Sequence, residues 1–256
     1  MRSMSERPAG AVRADEITSP EFAKLSKAGA LFVLPFGSLE EHGPHLPLGT
    51  DMFQADRVAL RVAEEFGAVL LPPVGYGECR STRNFPGTLS LSFETVQMLA
   101  RDVASELARN GVRKLLVITG HAGTGHMAAL RLGVLRAVEA NPSLRAMVLS
   151  DYDLAYELKG VMFPEDDGHA GSIETSRMLN IRPELVGKAR PVGKSRPPKY
   201  MLLPDPEKHI PTGVMGDARN ASAKKGAAID DYIVDSLCDL VSRNLEIRRG
   251  KRRKGR

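Results

Sequence analysis

Apolar runs of strand length alternate along this chain with stretches of helical period, and the alternation sets the expected fold. Continuous apolar segments at 30–36 (ALFVLPF), 68–74 (AVLLPPV), 114–119 (KLLVIT) and 146–150 (AMVLS) read as strands buried on both faces. Residues 20–28, 53–66, 94–110, 126–140, 173–179 and 223–245 carry apolar positions at helical spacing. Gly67 and Gly111 stand where helix C-terminal glycines belong. This order predicts a single three-layer α/β/α domain over residues 18–246, with a mainly parallel central sheet. Residues 1–17 read as a polar lead-in and 247–256 as a basic tail. The segment 183–218 is rich in Pro and Gly and lacks a clear period, so it reads as a lid, a substrate wall or a subunit contact.

Composition narrows the class. At 256 residues, 42% hydrophobic and 26% charged, the chain suits one ordinary globular domain. No apolar run approaches the roughly 20 residues of a membrane-spanning helix. The first ten residues lack a signal-peptide core, so a cytoplasmic protein without a membrane partner is expected. Cys79 and Cys238 form neither a disulfide framework nor a zinc-type spacing. The net charge of +5 is local: taking the seven cations of residues 248–256 from the 36 basic residues leaves 29 against 31 acidic ones. No aromatics interleave with those cations, which suits a solvated tail and no specific nucleic-acid partner.

The chemistry concentrates at 36–51, FGSLEEHGPHLPLGTD. If strand geometry persists past Gly37, Glu40 and His42 converge while Glu41 faces away. Asp51 follows across a Pro- and Gly-containing loop. His121 follows the third apolar strand through Gly120, and His169 and Glu174 follow the fourth in GHAGSIETS. In an open α/β sheet, ligands gather beyond the carboxyl ends of the strands, where all of these fall. Each has a plain role alone: Asp51 as a helix N-cap with Gln54, Glu174 as a first-turn acid, His121 as a buried turn histidine, His169 as a loop residue. Together they make a carboxylate and imidazole set suited to zinc, iron or manganese, enough for two metal ions.

These motifs closely resemble the signature of the creatininase family of metal-dependent amidohydrolases. The family pattern is an E-x-H and a following D, a later G-H, then H-A-G-x-x-E-T-S; here these are Glu40, His42, Asp51, Gly120–His121 and residues 169–176. FPGT at 85–88 and GVMG at 213–216 also resemble family segments, and the likeness runs from about residue 30 to 226. The resemblance implies one metal on Glu40, Asp51 and His121, and another on His42, Asp51 and Glu174, with Asp51 bridging. It implies attack on an amide carbonyl by metal-activated water, with His169 stabilising the oxyanion or protonating the leaving nitrogen. One or two divalent metals per chain and a homo-oligomer, as large as a hexamer, are expected with it. His45 then supports the loop, Glu41 faces solvent or backs the ligands, and His126 and His209 have no assigned role.

Departures from the family pattern point away from creatinine. Creatinine-hydrolysing members carry a catalytic Glu where this chain has Gly123, and line their pocket with Trp, of which there is none. Arg80 and Arg83, just before FPGT, suit a phosphate or carboxylate on a small amide substrate, or lie on a solvated loop. A phosphorylated substrate favours the deformylases of flavin and deazaflavin biosynthesis, which release formate from a formamidopyrimidine ribonucleotide. Peptidases acting on a ribosomally made redox-cofactor precursor are a second branch. A rival of another class is dinucleotide binding by Gly123-x-Gly125-x-x-Ala128 with Asp151. In the hydrolase reading those glycines let backbone crowd beneath His121. A catalytically dead scaffold is a third reading, opposed by the presence of all five ligand residues.

Overall fold

The computed structural model describes residues 10–195 and 198–250, so the start of the lead-in and the end of the basic tail lie outside the described residues. Five strands form one parallel sheet: β1 (Val12–Arg13), β2 (Leu31–Phe36), β3 (Val69–Leu70), β4 (Lys114–Thr119) and β5 (Arg145–Ser150). Their order is β1-β3-β2-β4-β5. The helices are α1 (Ser19–Lys27), α2 (Thr50–Phe66), α3 (Phe93–Arg109), α4 (Thr124–Ala140), α5 (Tyr152–Ala155), α6 (Ser172–Ile181) and α7 (Ala223–Asn244).

Every residue of β2 is buried, as the unbroken apolar run requires of a central strand. Successive side chains feed opposite cores. Leu31 and Val33 join Leu116 and Ile118 beneath α2 and α7, against Val58, Val62, Ile233 and Leu237. Phe32, Leu34 and Phe36 join Leu115 and Val117 beneath α3 and α4, against Val96, Ala104, Leu130 and Val134. The three-layer α/β/α domain with its parallel sheet is therefore the observed one.

Four local differences have physical causes. The strand expected over 68–74 is paired only at Val69–Leu70, because Pro72 and Pro73 offer no N–H to a ladder; Val74 regains a single bridge to Phe36. The edge strand β1 lies inside the stretch read as a lead-in, paired to β3. Ile247, placed in the basic tail, is buried in the core, and Arg249 pairs with Asp239 at 2.7 Å. Within 183–218 a short antiparallel pair, β6 (Val192–Gly193) with β7 (Gly216–Asp217), gives the loop some internal structure.

The topology creates the site. From β2 the chain crosses one face through α2 to reach β3, then crosses the other face through α3 to reach β4. β3 and β4 thus flank β2 on opposite sides, and the loops after β2 and β4 diverge, opening a crevice at the carboxyl edge. Among the described residues no helix is long and apolar enough to cross a membrane.

Candidate metal centre

Strand pairing ends at Phe36, so Glu40 and His42 do not converge by continuing β2, as the spacing suggested. A buried loop folds back instead: the Glu40 N–H donates to Leu48 O at 3.0 Å, and Gly43 turns with φ +65°. Glu41 does not reach solvent. It is buried, accepts the Gly43 N–H at 2.8 Å, and lies 3.3 Å from Nε2 of His169, whose N–H donates to the Glu41 carbonyl at 2.7 Å. Asp51 is not a cap either. Gly49 holds that place, and Gln54 instead accepts from Tyr152 Oη at 2.5 Å.

The five residues meet. Nδ1–H of His42 donates to Glu40 O at 3.0 Å, which leaves the Nε2 lone pair facing Asp51 Oδ1 at 3.1 Å and Glu174 Oε2 at 3.6 Å. Nε2–H of His121 donates to Glu78 O at 2.9 Å, leaving Nδ1 facing Glu40 Oε2 at 2.9 Å and Asp51 Oδ2 at 3.1 Å. In each ring a backbone carbonyl fixes the tautomer and turns a bare nitrogen toward carboxylates. Lone pairs facing lone pairs need a cation or a proton between them, so this donor set fits a divalent ion. Asp51 offers one oxygen to each imidazole. The groups His42, Asp51, Glu174 and Glu40, Cys79, His121 each bring ligand atoms within 4.8 Å of one another, and so do Glu40, His42 and His169.

Supporting groups hold the set. Ser38 Oγ donates to Asp51 Oδ2 at 2.5 Å, and Thr82 Oγ1 donates to Glu40 Oε1. Glu174 Oε2 accepts the Ala170 N–H at 2.6 Å, with Ala170 in the left-handed region at φ 52°. A Cβ on Gly120 would overlap the Asp51 carbonyl, and one on Gly123 would come within 2.5 Å of His121 Nε2, so both glycines are there for close approach. His45 donates to Thr175 at 2.8 Å, which supports the loop as expected. His126, without a role in the sequence, accepts the Glu78 N–H at 3.3 Å and bonds Thr119 at 3.1 Å.

Electrostatics follow from burying carboxylates and imidazoles side by side. Burial opposes the charge on Glu40, but the His121 imidazole outweighs it and holds the carboxyl at about 2. Burial likewise opposes Asp51, and His42 and His121 pull it well below the usual range. Burial also disfavours charged His42 and His121, yet their carboxylate neighbours raise both well above 6.5. Glu174 is raised, burial being the largest cause.

Two connected hollows approach the set. A cavity of about 170 Å³ is lined by Glu40, Glu78, Cys79, His121 and Gly123. A groove of about 740 Å³ shares Glu78 and Arg80 with it, and adds Tyr76, Arg83 and residues 88–93. Arg80 and Arg83 are exposed, and Arg80 donates to Leu203 O at 3.0 Å, tying the groove to the long loop. The Glu78 carboxylate lies against Gly125, where a dinucleotide pyrophosphate would have to sit; an anion there repels it. The dinucleotide rival therefore loses its site.

Residues 15–241 match the creatininase family model, described as creatinine amidohydrolase. The chain belongs to the creatininase family. With that family it is a hydrolase of carbon–nitrogen amide bonds. Creatinine amidohydrolase of Pseudomonas putida is 31% identical over 88% of this chain and 94% of its own. The mycofactocin precursor peptide peptidase of Mycolicibacterium smegmatis is 30% identical over 83% of this chain and 85% of its own. A crystal structure of creatininase superposes with a TM-score of 0.82 at 30% identity, covering 91% of this chain and 97% of that one. A manganese creatininase and a Zn–Zn creatininase variant have the same TM-score of 0.82, at 30% and 29% identity, and cover 91% of this chain and 98% of theirs.

Proposed function

We propose that this creatininase-family hydrolase uses one or two divalent cations held by Glu40, His42, Asp51, His121 and Glu174, and acts on an anionic amide. The observation that carries the proposal is the pair of imidazole nitrogens turned onto shared carboxylates, a contact that only a proton or a cation can fill. A divalent ion held by these residues would supply Lewis acidity to a substrate carbonyl and to water. The chain's own residues do the rest. Asp51 links the two halves of the donor set. His169 receives the developing oxyanion or protonates the leaving nitrogen; burial works against its charge and so does His42, but Glu41 and the other carboxylates outweigh them and raise its pKa. Arg80 and Arg83 bind the substrate's anionic group from the groove, and Gly123 lines the inner cavity on the substrate's side.

The specific reaction we favour is deformylation of a formamidopyrimidine ribonucleotide, because a nucleotide phosphate suits paired arginines and a formyl group suits a cavity of about 170 Å³. Zinc, manganese and iron all suit the nitrogen and oxygen donors. Creatinine fits poorly, as no tryptophan exists to line a pocket and Gly123 bears no carboxyl. A second reading, cleavage near the end of a short peptide, is favoured by the 30% identity to the mycofactocin precursor peptidase and by a groove of about 740 Å³. Cytoplasmic action as a homo-oligomer completes the proposal, with light scattering as its check. Formate release from the pyrimidine nucleotide, against amine release from short peptides, separates the two substrates. Arg80→Ala and Arg83→Ala should raise KM for the anionic substrate about tenfold with kcat little changed. If neither substrate turns over in metal-loaded protein, the specific proposal fails.

A further inference from the structure

Cys79 lies in the loop after β3 and is 1% exposed, with its thiol on the wall of the inner cavity rather than in either apolar core. Its Sγ is within 4.8 Å of the ligand atoms of both Glu40 and His121, which themselves stand 2.9 Å apart. The peptide unit that carries it is held from both sides. The Glu78 carbonyl accepts Nε2–H of His121 at 2.9 Å, and the Cys79 N–H donates to Ser90 Oγ at 2.8 Å. The Glu78 N–H is fixed in turn by His126 at 3.3 Å. One peptide therefore orients the imidazole and delivers the thiol to the same point. Cys238, by contrast, packs in the apolar core under α7 and belongs to no such group among the described residues.

We infer that Cys79 is a sulfur ligand to the cation held by Glu40 and His121, a role the nitrogen and oxygen set does not include. The inference rests on the divalent-cation reading above and adds a donor to it. On binding, the Sγ–H bond breaks, its proton passes to solvent water, and the sulfur lone pair is shared with the ion. Thiolate is a soft donor that selects zinc over manganese, whereas carboxylate and water suit manganese. The two halves of the site thus differ in chemistry. The Glu40, Cys79, His121 half prefers zinc, and the His42, Asp51, Glu174 half, built only of nitrogen and oxygen, accepts either ion.

The test uses full-length protein stripped of metal, reloaded with cobalt(II) and desalted. Wild type and Cys238→Ala should show a near-ultraviolet sulfur-to-cobalt charge-transfer band. Cys79→Ser should lose that band while keeping its visible ligand-field absorption and bound cobalt. In zinc–manganese competition the same variant should lose about tenfold in zinc preference. X-ray absorption at the zinc edge of unmutated protein should find a sulfur neighbour at about 2.3 Å, a measurement independent of whether the variant folds. Cobalt bound to wild type without a sulfur band, or a band that survives Cys79→Ser, overturns the sulfur ligand and leaves the cation reading standing. Failure of wild type to bind cobalt, zinc or manganese overturns both.

Discussion

Nε2 of His42 lies 3.1 Å from Oδ1 of Asp51, and the bond from Nδ1–H of His42 to the Glu40 carbonyl leaves a neutral ring no proton to fill that contact. The other oxygen of Asp51 stands in the same relation to Nδ1 of His121, at 3.1 Å. Asp51→Asn would place an amide N–H or a weaker carbonyl donor at one of the two contacts. Bound metal per chain, measured by elemental analysis, should fall at least by half, and turnover by about a hundredfold or more. Full metal content and rate in that variant would remove Asp51 from the bridging position.

Metal should stabilise the protein more as pH rises. In the metal-free chain, burial opposes charging of His42 and His121, but Asp51, Glu174 and Glu40 win and raise both above 6.5. A raised histidine contributes stability that is fully present below its unfolded value of 6.5 and is lost as pH climbs through the higher folded value. Cations replace those protons, so binding strengthens over the same range. At zinc near 100 times its Kd the gain is about 2.7 kcal/mol, roughly 5–10 °C in Tm for a chain of this size. Scanning calorimetry at fixed zinc should find the shift growing as pH rises above about 6.5. A shift that shrinks with pH contradicts the lone-pair account.

His169 donates to the Glu41 carbonyl at 2.7 Å, and its ring centroid lies 4.3 Å from that of His42. The bond uses one ring nitrogen, and the proposed role in proton transfer falls to the other. His169→Gln should lower kcat by about 10²–10⁴ with metal content unchanged. Loss of metal in place of kcat would make His169 a ligand, as its grouping with Glu40 and His42 allows.

Arg177 follows Glu174 by one turn of α6 and is fully buried between Asp151 at 2.6 Å and Asp230 at 2.8 Å. It ties the helix that bears Glu174 to the end of β5 and to α7. Arg177→Met leaves two buried carboxyls without their cation. That should cost about 3–5 kcal/mol, near 10 °C in Tm. Asp151 already sits high, pushed by burial up to about 6 against the pull of Arg177, and should rise further in the variant. A Tm within about a degree of wild type would show that the triad is not holding α6.

The strands β2 and β4 and their helices were readable because continuous apolar runs mean burial on two faces. That Glu40, His42, Asp51, His121 and Glu174 come together was readable because acids and imidazoles recur where strands end. The bonds that fix them were not. Glu78 orients His121 through its carbonyl, and a backbone acceptor carries no side-chain signature. Ser38 and Thr82 are common loop residues whose partners, Asp51 and Glu40, lie 13 and 42 positions away. Arg177 and Asp230, 53 positions apart, carried a usable signal: each is a charge at a buried helical position beside Ile173 or Ile229 and Ile233. β1, with two residues, is too short for any period to register.

Asp51 begins the helix that roofs one face of the sheet, while His121 stands just ahead of the helix that floors the other. An ion gripped by both would act as a rivet through the edge of the sandwich. Stripping it should therefore speed amide exchange at the starts of α2 and α4 together, although the two helices lie on opposite sides of the sheet.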